Sequence, residues 1–170
     1  MALYTTQARV TGGRAGHGET SDGLLKVDLA LPRELGGQGG ATNPEQLFAI
    51  GYAACFESAI RFVARKQKLP LTDASVTSTV SLLPNGEGFK LGVALAAETK
   101  GLDQAAAEAL VSEAHKICPY SNAIKGNIEV ALSTVALPAF RPIHKLTVMH
   151  RIVPGIQIAR CQPLDPLWIG

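Results

Sequence analysis

The chain has 170 residues, about the length of one domain, with 46% hydrophobic and 18% charged residues. That is a globular composition, long enough to bury a core without disulfide staples. The 16 basic and 14 acidic residues leave a net charge of +2, and no basic stripe is interleaved with aromatics, so nothing points to a nucleic-acid surface.

Residues 3–10, LYTTQARV, are rich in β-formers and predict a strand. The same N-terminus has no basic segment followed by an apolar one, so no secretory signal is expected. Residues 11–16, TGGRAG, form a break that carries Arg14. From Leu25 to Leu31 the pattern alternates: Leu25, Val27, Leu29 and Leu31 on one side, Lys26, Asp28 and Ala30 on the other. That is a half-buried strand, and the two strands predict a hairpin around residues 11–23. The glycine-rich run ELGGQGGATNPEQ follows and is expected to be a mobile connection. GGQGG has neither the GxGxxG nor the P-loop spacing, so phosphate binding is not indicated.

The chain is organised around the stretch Asn43 to Lys66, NPEQLFAIGYAACFESAIRFVARK. Asn43 can cap a helix, Pro44 suits its first position, and Gln46 stands where a capping box needs it. Glu45 in the first turn favours the positive end of the helix dipole. Gly51 could kink the helix. Glu57 and Arg61 interrupt the apolar run, which argues against a membrane span. Leu47, Phe48, Ile50, Tyr52, Ala53, Phe56, Ile60, Phe62 and Val63 cover most of the perimeter. A helix apolar nearly all round must be buried on more than one side. One small sheet cannot do that alone, so a homodimer with this helix at its centre is expected.

Two strands follow, 75–83 and 89–98, joined by a turn at Pro84–Gly88, with Phe89, Leu91, Val93 and Leu95 on one face. Asp103 caps a second helix over 104–117, whose apolar side carries Leu110, Val111 and Ala114 and which ends at Cys118-Pro119. Ile128 to Val135 predicts the last strand. The order is β-β-α-β-β-α-β, an α+β domain over residues 1–137. Residues 138–170 carry five prolines without sustained periodicity and are treated as a C-terminal extension; its Cys161 and Trp168 belong to no motif.

Three widely spaced cysteines do not make a disulfide framework, and a cytoplasmic protein is expected, where structural disulfides are rare. Free cysteine in mid-helix is usually packing. An ordinary thiol is only a few per cent ionised at neutral pH, so a reactive Cys55 needs a nearby cation. It lies about twelve residues past the helix cap, where the dipole offers little. Cys118, between a helix and a proline, has a more accessible setting. Among His17, His115, His144 and His150, none has paired ligand spacing with a cysteine. His115 with Cys118 is too few ligands for zinc.

The stretches TGGRAG at 11–16, LGGQGGATNPEQLFAIGYAACF at 35–56 and HKICPYSNAIKGN at 115–127 resemble the organic hydroperoxide resistance (Ohr) family. That family lies within the superfamily of the osmotically inducible protein C (OsmC). The resemblance covers residues 3–137 and not the extension. It implies an intertwined α+β homodimer with two interface sites and a thiol peroxidase. Cys55 matches the peroxidatic cysteine, Cys118 the resolving one, Arg14 the arginine of TGGR, and Glu45 the glutamate of NPEQ. Arg14 then supplies the cation, and Glu45 acts by holding it. Glu45 and Cys55 are about 15 Å apart on a straight helix. Either the helix breaks near Gly51, or Glu45 comes from the partner subunit; the second is favoured.

Phe48, Tyr52, Phe56 and Phe62 are expected to line an apolar pocket suited to alkyl and fatty-acid hydroperoxides. The resemblance implies dihydrolipoamide of lipoylated proteins as reductant. The cycle it implies needs no metal, haem or flavin, and neither a nucleic-acid nor a membrane partner is expected. TGGR and the glycine-rich loop before NPEQ favour this branch over the osmotically inducible one. A redox sensor or hydrophobic-ligand binder is the reading from another class, but a sensor usually carries an output domain and none is visible.

Overall fold

The computed structural model describes residues 1–138; the extension from residue 139 on, with Cys161 and Trp168, lies outside the described residues. Strands β1 (Ala8–Thr11), β2 (His17–Thr20) and β3 (Lys26–Asp28) form an antiparallel sheet in that order. Helix α1 (Pro44–Gln67) follows. Strands β4 (Asp73–Asn85) and β5 (Gly88–Lys100) make a long hairpin. Helices α2 (Gln104–Ile117) and α3 (Pro119–Ile124) lead to β6 (Val130–Leu137), which runs parallel to β5 and completes a second sheet, β4-β5-β6.

The first sheet has three strands, where the sequence predicts two. Strand β2, HGET, shows no alternation because its centre is Gly18, seated between Val10 of β1 and Val27 of β3. A Cβ there would meet Val10 Cγ2 at 3.2 Å. The first strand starts at Ala8 rather than residue 3, and the third spans Lys26–Asp28, beyond which Leu29 N–H reaches Gly16 O at 2.8 Å and Leu29 bridges to Thr42. The glycine-rich connection is hydrogen-bonded rather than open: Gly37 N–H reaches Pro32 O at 3.0 Å, Gly39 N–H reaches Leu31 O at 3.1 Å, and Arg33 Nε donates to Gln38 O.

Helix α1 starts as expected. Asn43 Oδ1 accepts from Gln46 N–H at 2.9 Å and Pro44 takes the first position. Only half of the capping box forms, because the Gln46 side chain accepts from Thr42 Oγ1 at 2.8 Å. The helix runs unbroken through Gly51 to Gln67 and stops at Lys68 in a left-handed conformation, φ 54°. A break near Gly51 is therefore not how Glu45 could approach Cys55.

One face of α1, with Tyr52, Phe56, Ala59, Ile60, Val63 and Ala64, is buried with Leu110, Val111 and Ala114 of α2 and with Val93, Leu95 and Ala97 of β5. The opposite face stays open: Ile50 is 69% and Phe62 52% exposed. By length and composition α1 could cross a membrane. Here Arg61 pairs with Glu57 on the helix and binds Asp73 and the Ala74 carbonyl at the start of β4, both at 3.2 Å, tying the helix to the sheet. On β5, Leu91, Val93 and Leu95 face inward but Phe89, at the hairpin tip, is exposed. The short α3 was not expected; six residues are too few to show helical periodicity.

Replacing Asn43 by alanine removes the acceptor for Gln46 N–H and should lower unfolding stability by about 1 kcal/mol, measured by urea denaturation, whereas Asn43→Ser should retain most of it.

Candidate active site

Two groups of side chains are anchored to α1. The first lies at its N-terminus. The TGGRAG turn is held by its glycines: Gly12 has φ 77°, and a Cβ on Gly16 would collide with the Thr11 carbonyl. Arg14 sits on the single 3₁₀ turn between β1 and β2 and reaches Glu45 with both fork nitrogens, Nη1 to Oε2 at 2.8 Å and Nη2 to Oε1 at 2.6 Å. This is the bidentate geometry that fixes a guanidinium in orientation. The Glu45 side chain is only 15% exposed, and its hydrogen bonds from Arg14 hold the carboxyl below the usual range. The pair opens onto a groove of about 660 Å³ whose other walls include Phe48, Leu91, Ile124 and Ile128.

The second group lies mid-helix. Cys118 closes α2 and immediately precedes Pro119 of α3, which brings its Sγ to 3.5 Å from Cys55 Sγ. Both thiols are free; contrary to the expectation that Cys118 is the more accessible, Cys55 is half-buried and Cys118 is fully buried in the core with Tyr52 and Ala114. Around them, Phe48 stacks edge-on against Tyr52 at 5.9 Å and Tyr52 against Phe56 at 6.4 Å. Phe48 thus connects the groove to the thiols. Phe62, the fourth residue expected in this pocket, is outside the aromatic cluster and faces solvent.

Burial pushes the Cys55 thiol up, and the neighbouring Cys118 adds to this; the backbone amide of Tyr120 opposes them by favouring the thiolate. Arg14 is not among the groups that act on Cys55. Within one chain the structure thus brings together Arg14 with Glu45, and Cys55 with Cys118, but does not join the two pairs.

Three further residues belong to the thiol site. Tyr120 packs against Phe48 and Tyr52 at 5.8 and 5.7 Å, and the Ser121 and Tyr52 hydroxyls share a buried hydrogen bond of 2.9 Å. His115, one turn before Cys118, lies 6.1 Å from Phe56, and its buried Nδ1 has no hydrogen-bond partner among the described residues. Burial, with Lys125 adding to it, lowers its pKa. Tyr120 and Ser121 follow Cys118 directly, so the CPYS run was the signal; their contacts with α1 are set by α3, which the pattern did not show.

Comparison with known proteins identifies the family. The sequence model of OsmC-like proteins matches residues 37–133, a span holding both cysteines and Glu45. The organic hydroperoxide resistance protein of Xanthomonas axonopodis pv. citri is 50% identical over 133 residues, 77% of this chain and 94% of that one. The crystal structure of an organic hydroperoxide resistance protein from Legionella pneumophila shares 68% identity and a TM-score of 0.77, over 79% of this chain and 98% of the other. A Vibrio cholerae relative, solved with captopril in one of its active sites, shares 52% identity and a TM-score of 0.76, over 79% and 93%.

The chain belongs to the organic hydroperoxide resistance family of OsmC-like proteins.

The Ohr fold of this chain also sets how its ion pair responds to acid. Glu45 titrates below its unfolded value, so the stability contributed by the pair is complete above about pH 4.3. It is lost as pH falls through the depressed folded value. Glu45→Gln should flatten that acid limb of Tm against pH; an unaltered limb would show that Glu45 does not titrate with folding.

Proposed function

We propose that this protein is a thiol-dependent peroxidase that reduces organic hydroperoxides to alcohols and protects against organic peroxide stress. The observation that carries the reading is the pair of free thiols 3.5 Å apart, one reachable and one sealed. A peroxide must touch the first sulfur, and the second must wait until the first is oxidised. That order assigns Cys55 as the attacking thiol and Cys118 as the resolving one.

In the cycle, the Cys55 thiolate attacks the terminal oxygen of ROOH. The O–O bond breaks, the alkoxide takes up a proton and leaves as alcohol, and Cys55 becomes a sulfenic acid. The Cys118 thiol then attacks that sulfur. An S–S bond forms, the S–O bond breaks and water leaves. The sulfurs need close by only about 1.5 Å to reach disulfide length. A dithiol restores both thiols by exchange; the family suggests dihydrolipoamide of lipoylated proteins, in the reducing cytoplasm. The reactants balance with thiols and peroxide alone.

The missing cation comes, in this reading, from a second copy of the chain. Cys55 lies about 15 Å along α1 from Glu45 and borders the open face of the helix, with Phe62 two turns on in nearly the same line. A second subunit covering Ile50 and Phe62 would border Cys55 as well, and its Arg14, already oriented by its own Glu45, would lower the thiol pKa and donate hydrogen bonds to the peroxide. The apolar groove beside that pair suits alkyl and fatty-acyl hydroperoxides better than hydrogen peroxide.

Turnover of cumene hydroperoxide with dihydrolipoamide tests the reading. Cys55→Ser should abolish it, and Cys118→Ser should stop after one oxidation of Cys55. Arg14→Ala should lower kcat/KM by about a hundredfold and move the lower limb of its pH profile upward, since the thiol loses its stabilising charge. Full turnover by Cys55→Ser would overturn the mechanism. A folded protein that binds apolar ligands but turns over no peroxide would favour the binder.

A further inference from the structure

The segment Cys118–Ser121 lies across one face of α1 and touches it at three places. Cys118 Sγ meets Cys55 Sγ at 3.5 Å, the Ser121 hydroxyl bonds the Tyr52 hydroxyl at 2.9 Å, and Tyr120 covers Gly51. Gly51 and Tyr52 both neighbour Cys55 on the helix surface, because they stand four and three residues before it. The Gly51 contact is the tightest sterically. A Cβ at this position would stand 2.7 Å from Tyr120 Oη, 3.2 Å from Cζ and 3.5 Å from Cε1, and the first of these is closer than carbon and oxygen can pack. Phe48 and Tyr52 hold the ring from its other sides. Glycine inside a helix weakens it relative to alanine, so this position gives up helix stability for the space.

We infer that Gly51 is a positioning residue for disulfide closure: it leaves open the slot that seats the Tyr120 hydroxyl, and through that seat it fixes the Cys118 sulfur against Cys55. Its consequence rests on the peroxidase cycle proposed above, whereas its geometry rests on packing. Tyr120 is joined to Cys118 through Pro119, whose ring fixes the backbone between them. Displacing the tyrosine ring therefore displaces the turn that carries the resolving thiol. The step affected is the attack of the Cys118 thiol on the Cys55 sulfenic acid. There the S–S bond replaces the S–O bond, and the thiol proton leaves with the hydroxide as water.

The test uses four forms of the full chain: wild type, Gly51→Ala, Tyr120→Phe and the double variant. Each is oxidised with one equivalent of cumene hydroperoxide, and sulfenic acid and disulfide are followed over time by dimedone trapping and mass spectrometry. In Gly51→Ala, closure should slow by about tenfold or more, with Cys55 accumulating as sulfenic and then sulfinic acid. Tyr120→Phe alone keeps the ring and loses only the hydroxyl, so it should slow closure less than Gly51→Ala does, and it is the reference for the double variant. In the double variant the atom that collides at 2.7 Å is gone and the next is at 3.2 Å, so closure should be faster than in Gly51→Ala and recover toward the Tyr120→Phe rate. Tyr120→Ala tests the same seat from the other side and should slow closure with Gly51 intact.

Closure at the wild-type rate in Gly51→Ala or in Tyr120→Ala would overturn the inference, as would a double variant no faster than Gly51→Ala. Equilibration of the Cys55–Cys118 pair with oxidised dithiothreitol separates this from the peroxidase reading. If wild type consumes no hydroperoxide but Gly51→Ala still disfavours the disulfide, the cycle fails and the positioning stands. If wild type turns over and Gly51→Ala forms the disulfide as readily in both assays, the positioning fails and the cycle stands.

Discussion

An unbroken helix fixes how far Cys55 stands from the first turn that holds Arg14. From Pro44 to Gln67, α1 carries Glu45 in its first turn and Cys55 near its middle, about 15 Å apart. Helix rigidity does not allow one chain to fold the two together. Glu45 instead grips Arg14 with two hydrogen bonds, while Cys55 is left with burial, which opposes its ionisation. Each unit of thiol pKa corresponds to about 1.4 kcal/mol, so a buried thiol without a cation is a poor nucleophile at neutral pH. Within one chain the two pairs stay apart; in the dimer proposed above, the first turn of a second α1 and the Arg14 it holds would stand beside Cys55.

The Arg14–Glu45 pair differs from an ordinary surface ion pair. Isolated exposed pairs contribute little because two flexible side chains must be ordered for a screened attraction. Here Glu45 is mostly covered, the contact is bidentate, and the loop carrying Arg14 is set by glycines that admit no side chain. Its value lies in orientation more than stability: a guanidinium already held in plane loses less freedom when it meets a thiolate and a peroxide.

Much of α1 was legible in the sequence, because its signals are local. Asn43 and Pro44 announce the start, and the apolar run announces a buried helix, of which one face is buried within the chain while Ile50 and Phe62 stay exposed. Cys55, Cys118, Arg14 and Glu45 were legible only as motifs in a familiar order; spacing alone left Cys55 an unremarkable core thiol. What the sequence hid depends on contacts between distant segments. Strand β2 is invisible because its central Gly18 has no side chain to alternate. Helix α3 is too short for a period, and with it went Tyr120 and Ser121. Gly51 looked like a hinge but is a slot, a distinction that exists only once Tyr120 stands over it. Phe62 looked like pocket because it is apolar and near Cys55, yet it faces outward.

The central claim is that Cys55 of one subunit works with Arg14 of another. The most direct measurement mixes the inactive Cys55→Ser with the strongly impaired Arg14→Ala, under conditions that exchange subunits, and assays hydroperoxide turnover of the mixed dimer. If the site is shared, the mixed dimer holds one intact pairing, the Cys55 thiol of one chain with Arg14 of the other, and activity returns on mixing. Mixed dimers that form but stay inactive would contradict the account, because they would place both residues in the same chain's site.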